Sequence, residues 1–286
     1  LKDHFIVISR GKGPTYVAPH AAIAFHKPAS NQDEGTHHVA YRLVQDGGRA
    51  IVSSVTRERD IGIDFFREPP PKELALENYK LFKEHRRKET RAFRKRYAWV
   101  ARSPQEHSRK ARIFRSFWGE VAKSRGPIVF LHSQYLNPIR HPSLIDIIPF
   151  NKQTRVRALV KAMNKEHSGL FKELLPLYKA AFEHKTRTIR FKKIFSLETG
   201  EHVFEGLEPK IERRIARFNQ KLKAMPYLEL TFMRNFQGRP VRDMVARDLL
   251  GLGVPVLHIE ISEFLAKQYP EIAAYLVKDL VGRVCR

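Results

Sequence analysis

Cysteine is nearly absent. The single Cys285 leaves no partner for a disulfide within this sequence and rules out a thiolate metal cluster. Any metal must therefore be held by His, Asp and Glu, and a reducing setting suits such a chain. Long apolar runs are missing too. None approaches the roughly 20 residues that a membrane helix needs. The opening LKDHFIVISRGKG has no extended apolar core of the secretory kind. These absences predict a cytoplasmic protein with no membrane span. Internal repeats and low-complexity tracts are also lacking, which excludes solenoids and long linkers. Acidic residues are scarce: 30 Asp and Glu stand against 53 Lys and Arg, a net charge of +23. Such a field favours polyanions, nucleic acid among them, or acidic small molecules, and it says nothing about fold.

The 286 residues are 42% apolar, enough for a large buried core. The pattern alternates. FIVIS (5–9) reads as a strand, followed by the turn Gly11-Lys12-Gly13-Pro14 and a short apolar run into Pro19-His20. Val39, Ala40, Leu43 and Val44 recur at helical spacing until Gly47-Gly48, and AIVSSV (50–55) is a strand again. After Pro69-Pro70-Pro71, helices are expected from Glu73 to about Trp99 and from Pro104 to Lys123. IVFLHS (128–133) is the clearest buried strand. Helix is expected over 152–184 with a kink near Gly169 and Pro176, strand over 188–196, helix over 206–224, strand over 227–233, helix over 239–250 and a last strand over 255–261. The expectation is one α/β domain over 1–286, a single mixed sheet flanked by helices, with 72–125 as a basic helical insertion. From Lys80 to Arg125 that insertion carries 16 Lys or Arg against 4 Asp or Glu. Its interleaved Phe82, Phe93, Tyr97, Phe114 and Phe117 read as a packed helix face, with the cations on the wet side.

Four short pieces place metal-competent residues at strand ends or adjoining loops: PHA (19–21), DEGT (33–36), LHS (131–133) and IEI (259–261). Ligand sites of open α/β sheets lie at such ends. A hydrolytic metal site needs about three protein ligands and an open position for water, with a carboxylate nearby to move protons. His20 and His132 are the candidate nitrogen ligands, and Glu34 or its neighbour Asp33 the carboxylate. Glu260 interrupts an apolar strand, where an unpaired carboxylate is costly. Each residue alone also admits a plain structural role, since the chain has 13 His.

The order of these pieces, with TRERDIGIDFFREP (56–69) between the second and third, resembles the N-formylglutamate amidohydrolase family. That resemblance implies a zinc-carboxypeptidase-like fold and a Zn²⁺ ion held by His20, Glu34 and His132. It makes Glu260 the general base and gives the substrate carboxylate to Arg67. Arg57 or Arg59 would then serve the substrate, Arg57 by polarising the scissile carbonyl; Asp64 would orient a neighbouring arginine or ligand. The implied substrate is a small acidic or N-acylated amino acid or peptide. Phe66 stands where the family pattern has Asn, which removes a donor for a substrate carboxylate. The other function class that the charge allows is a nucleic-acid-binding or scaffold protein on a hydrolase-like fold.

Overall fold

A computed structural model describes residues 4–21, 33–55, 62–134, 142–151, 153–196, 202–234 and 251–285, with the side chains of 187–196 and 202–210 left aside. Among the described residues seven strands form one mixed sheet, in the order β1-β3-β2-β4-β7-β5-β6. They are β1 (Phe5–Arg10), β2 (Thr15–Ala18), β3 (Gly48–Ser53), β4 (Ile128–Gln134), β5 (Ile145–Pro149), β6 (Leu230–Phe232) and β7 (Val256–Ser262). The four central strands, β3, β2, β4 and β7, run parallel. β1 and β5 join them antiparallel at either side, and β6 runs parallel to β5. The expected α/β class with a single mixed sheet is what the chain adopts.

Side chains alternate between the two faces of a strand, so each face has its own core. One face packs against α1 (Thr36–Leu43), α5 (Gln153–Glu166), α6 (Ser168–Ser196), α7 (His202–Lys223), α8 (Glu263–Gln268) and α9 (Pro270–Cys285). On the other face, Val17, Ile51, Ile128, Phe130 and Val256 meet Phe114, Phe117 and Val121 of α4 (Pro104–Ala122). Ser103 caps α4, its hydroxyl accepting from the amide of Glu106 at 3.2 Å, and Pro104 occupies the first turn. Within the expected insertion, α4 is thus part of the sheet's cover. Only α2 (Lys72–Lys83) and α3 (Arg87–Arg96) overhang.

Three local expectations differ from the structure. The helix expected from Glu73 to Trp99 is two helices, broken at Glu84 to Arg86, where His85 takes φ 56. Residues 188–196 are not a strand but the last part of the 29-residue α6. The region 152–184 divides at His167, between α5 and α6. The helix expected over 239–250 lies outside the described residues.

Gly35 controls how the Asp33-Glu34 turn sits. It has φ 83, and a Cβ there would run into the carbonyl of Ala266 in α8. Gly35→Ala combines a left-handed backbone with a clash against main chain, and is expected to cost roughly 2–4 kcal/mol. A urea midpoint within error of the parent's would refute this close approach.

Candidate metal centre

The site is assembled by strand ends and two loops. His20 follows β2 in a turn, His132 lies near the end of β4, and His258 and Glu260 are on β7. In the β4–β7 register, Phe130 pairs with His258 and His132 with Glu260. Pleating therefore puts all four on one face of the sheet. The apolar half of that face ends at Phe130, and the polar row begins beside it. From the loops come Asp33, whose amide donates to the carbonyl of His20 at 3.0 Å, and Asp64, whose amide donates to the carbonyl of Ala98 at 2.8 Å.

Asp33 is the junction. Its Oδ2 lies 3.2 Å from Nδ1 of His20 and 2.8 Å from Nδ1 of His132. Nε2 of His20 lies 3.0 Å from Oδ1 of Asp64, and Asp64 Oδ2 accepts from Nε of Arg67 at 2.8 Å. Asp64 thus orients both a histidine and an arginine, and it also receives the amide of Phe66 at 2.9 Å. His20, Asp33 and His132 are each about 4% exposed.

These contacts pose a proton problem. Both ring nitrogens of His20 face carboxylate oxygens, so the ring is doubly protonated and donates both bonds, or one carboxyl group carries the proton, or a cation lies on one side. A proton on Nε2, directed at Asp64, leaves Nδ1 as a lone-pair donor facing the Asp33–His132 pair. This is how a carboxylate behind a metal-binding histidine sets its tautomer. His132 is neutral near pH 7: burial, with His258 next, pushes it down to about 4, against the upward pull of Asp33. Nε2 of His132 and Nδ1 of His258 are buried with no hydrogen-bond partner among the described residues. A carboxylate shared by two histidine Nδ1 atoms, beside buried ring nitrogens without a partner at His132 and His258, is a donor set that could hold a divalent ion.

The expected Glu34 is not brought to the histidines. Its carboxylate pairs with Lys267 of α8, and its side chain is 28% exposed. Asp33, the other open choice, points inward instead. Two groups were missed by sequence reasoning. The first is His258, whose ring stacks on His132 with centroids 4.2 Å apart and whose Nε2 lies 2.8 Å from Oε1 of Glu260. The strand pattern held the signal, since residues two apart share a face. The second is Asp146 on β5, fully buried and in register with Glu260; it accepts from the Thr231 hydroxyl at 2.7 Å. His20, Asp33 and His132 form one group with ligand atoms within 4.8 Å of one another, and His132, His258 and Glu260 form a second.

No protein-family model matches the chain, and no curated protein or solved structure does so either. The resemblance noted in the sequence thus rests on its own motifs.

Phe66 closes the inner wall. It is 3% exposed, and its centroid lies 4.8 Å from His132, 5.7 Å from His258 and 6.0 Å from His20. Where an amide donor was expected from the family pattern, there is a dry aromatic surface. Arg67 lies behind Asp64, gives Nη1 to the carbonyl of Arg94 at 2.6 Å, and lines a cavity of about 850 Å³. Arg57 and Arg59 fall outside the described residues.

Proposed function

We propose that this protein is a metal-dependent amidohydrolase, with zinc as the expected ion, cleaving an N-acyl or peptide amide next to a carboxylate. The observation that carries this reading is His20 held between two carboxylates, with Asp33 shared by His132 in a buried cluster at the strand ends. In this reading His20, Asp33 and His132 hold the ion, with Asp33 in the place expected of Glu34. A divalent ion there supplies Lewis acidity, lowering the pKa of a water and polarising an amide carbonyl.

The chain's own groups do the rest. Asp64 keeps the proton of His20 on Nε2. His258, with its proton on Nε2, donates to Oε1 of Glu260 and fixes that carboxylate one strand away from His132. Glu260 takes a proton from the attacking water and delivers it to the leaving nitrogen. The water oxygen joins the acyl carbon, the C–N bond breaks, and a carboxylic acid and an amine result. Among the described residues Nη2 of Arg67 has no partner, and it is the group offered to the substrate carboxylate. Arg57 is assigned to the scissile carbonyl and Arg59 to the substrate, on the ability of a guanidinium to donate paired hydrogen bonds to carbonyl and carboxylate oxygens.

The test is metal content together with hydrolysis of N-formylglutamate and N-acetylglutamate, before and after chelation. About one ion per chain is expected, with activity lost on chelation and restored by zinc. Protein that purifies without stoichiometric metal, and whose hydrolysis ignores both chelator and zinc, would sink the proposal. The second reading, a nucleic-acid-binding protein, is favoured by the basic lining of the cavity beside Arg67. It predicts an affinity for DNA or RNA that falls steeply with salt.

A further inference from the structure

We infer that the cavity beside Asp64 and Arg67 is a subsite for an acidic peptide segment, which makes the substrate class an amide carried by a run of carboxylates. The orientation of that segment rests on the amidohydrolase reading; the binding itself does not.

The cavity holds about 850 Å³ and is walled by the loop at Asp64–Arg67 and by the overhanging α2 and α3. Six of its lining residues are cations: Arg67, Lys83, Arg87, Arg91, Arg94 and Lys95. Among the described residues the only acid in the lining is Asp64, which already serves His20 and Arg67. Among the described residues no carboxylate pairs with Lys83, Arg87, Arg91 or Lys95, and all four are exposed. Arg87, Arg91, Arg94 and Lys95 follow one another at helical spacing on one side of α3. Like charges at such spacing destabilise a helix unless an anion joins them. The nearby Glu84 and Glu89 both pair with Arg86 instead.

Size and position then narrow the ligand. From Arg87 to Lys95 the helix rises roughly 12 Å. An extended peptide covers that distance in about four residues. Asp64, one of the buried residues of the lining, touches His20, so the cavity lies beside the candidate metal centre. Planar guanidinium forks suit carboxylates in pairs. Nucleic acid is the weaker fit, because single strands are gripped by aromatic faces on which bases stack. Among the described residues the aromatic rings in the lining are Phe82, which stacks with Tyr79, and the small imidazole of His85. Phe93 packs on Tyr97 at 4.6 Å, and Phe114 and Phe117 are in the core.

The experiment measures fluorescence anisotropy of labelled tetraglutamate on the full chain, with chelator present so that binding is read without turnover. Labelled tetraserine and a short oligothymidylate are the comparison probes. Tetraglutamate is expected to bind at least about tenfold tighter than either. Arg91→Glu with Lys95→Glu should weaken it at least about tenfold, while Arg109→Glu with Arg115→Glu, exposed on α4, should change it less than about twofold. Equal losses from the two pairs would mean a general basic field and overturn the subsite. So would oligothymidylate binding as tightly as tetraglutamate with the same sensitivity to the α3 pair. Tetraglutamate binding without metal-dependent hydrolysis would leave the subsite standing and remove the amidohydrolase reading. Metal-dependent hydrolysis of N-formylglutamate without tetraglutamate binding would do the reverse.

Discussion

Asp33→Asn is expected to strip the protein of the proposed metal, while Glu34→Gln keeps it. The two residues are neighbours of like chemistry, so only their direction distinguishes them. Asp33 Oδ2 sits between two histidine Nδ1 atoms, whereas Glu34 meets Lys267 near the surface. Removing the one negative charge of a two-histidine site is expected to lower affinity by at least about 100-fold, on the scale of losses seen even when groups behind the ligands are changed. Losing the Glu34–Lys267 pair, an exposed contact, should cost less than about 1 kcal/mol of stability and no metal. Metal analysis after dialysis reads both variants. Retention in Asp33→Asn, or loss in Glu34→Gln, would return the ligand role to the residue that the family resemblance implies.

Glu260→Gln is the second large effect. The amide keeps the shape of the side chain and its place on β7, but it cannot accept the proton of an attacking water. Metal content should stay at the parental value, and kcat should fall by about 10²–10⁴, with KM little changed. His258→Phe should give a smaller loss, because it removes the imidazole that holds Oε1 of Glu260 but leaves the carboxylate itself and keeps a ring against His132. A Glu260→Gln variant that turns over at the parental rate would show that the proton is moved by another group. Asp146, in register with Glu260 on the other side, would then be the first to examine.

The two central strands that carry the site were legible because their apolar runs are long. IVFLHS and VLHIEI fall on β4 and β7 with little error. β5 was not: it is five residues, all buried, with Asp146 inside it and Pro149 at its end, so no alternation marks it. Residues 188–196 contain enough branched and aromatic side chains to read as a strand, yet they continue a helix already about two-thirds built. At the site, His20 and His132 could be picked out because each ends an apolar strand. The choice between Asp33 and Glu34 could not be made. It depends on the left-handed turn at Gly35 and on how closely that turn approaches Ala266, a contact over two hundred residues away in sequence. The role of Phe66 was hidden for a similar reason. A departure from a motif shows what is missing, but only the packed rings show what replaces it.

The register of β7 has a consequence for how the chain finds its fold. On one side the strand pairs Glu260 with His132, and on the other with Asp146. A slip of one residue would turn His258 and Glu260 toward the opposite, wholly apolar core of Leu131, Ile145 and Leu257. Burying a carboxylate there without a partner costs several kcal/mol, much more than the apolar contacts could restore. The polar row thus acts as a proofreading device during assembly of the central sheet: alignments that would scatter the site are the ones the chain can least tolerate.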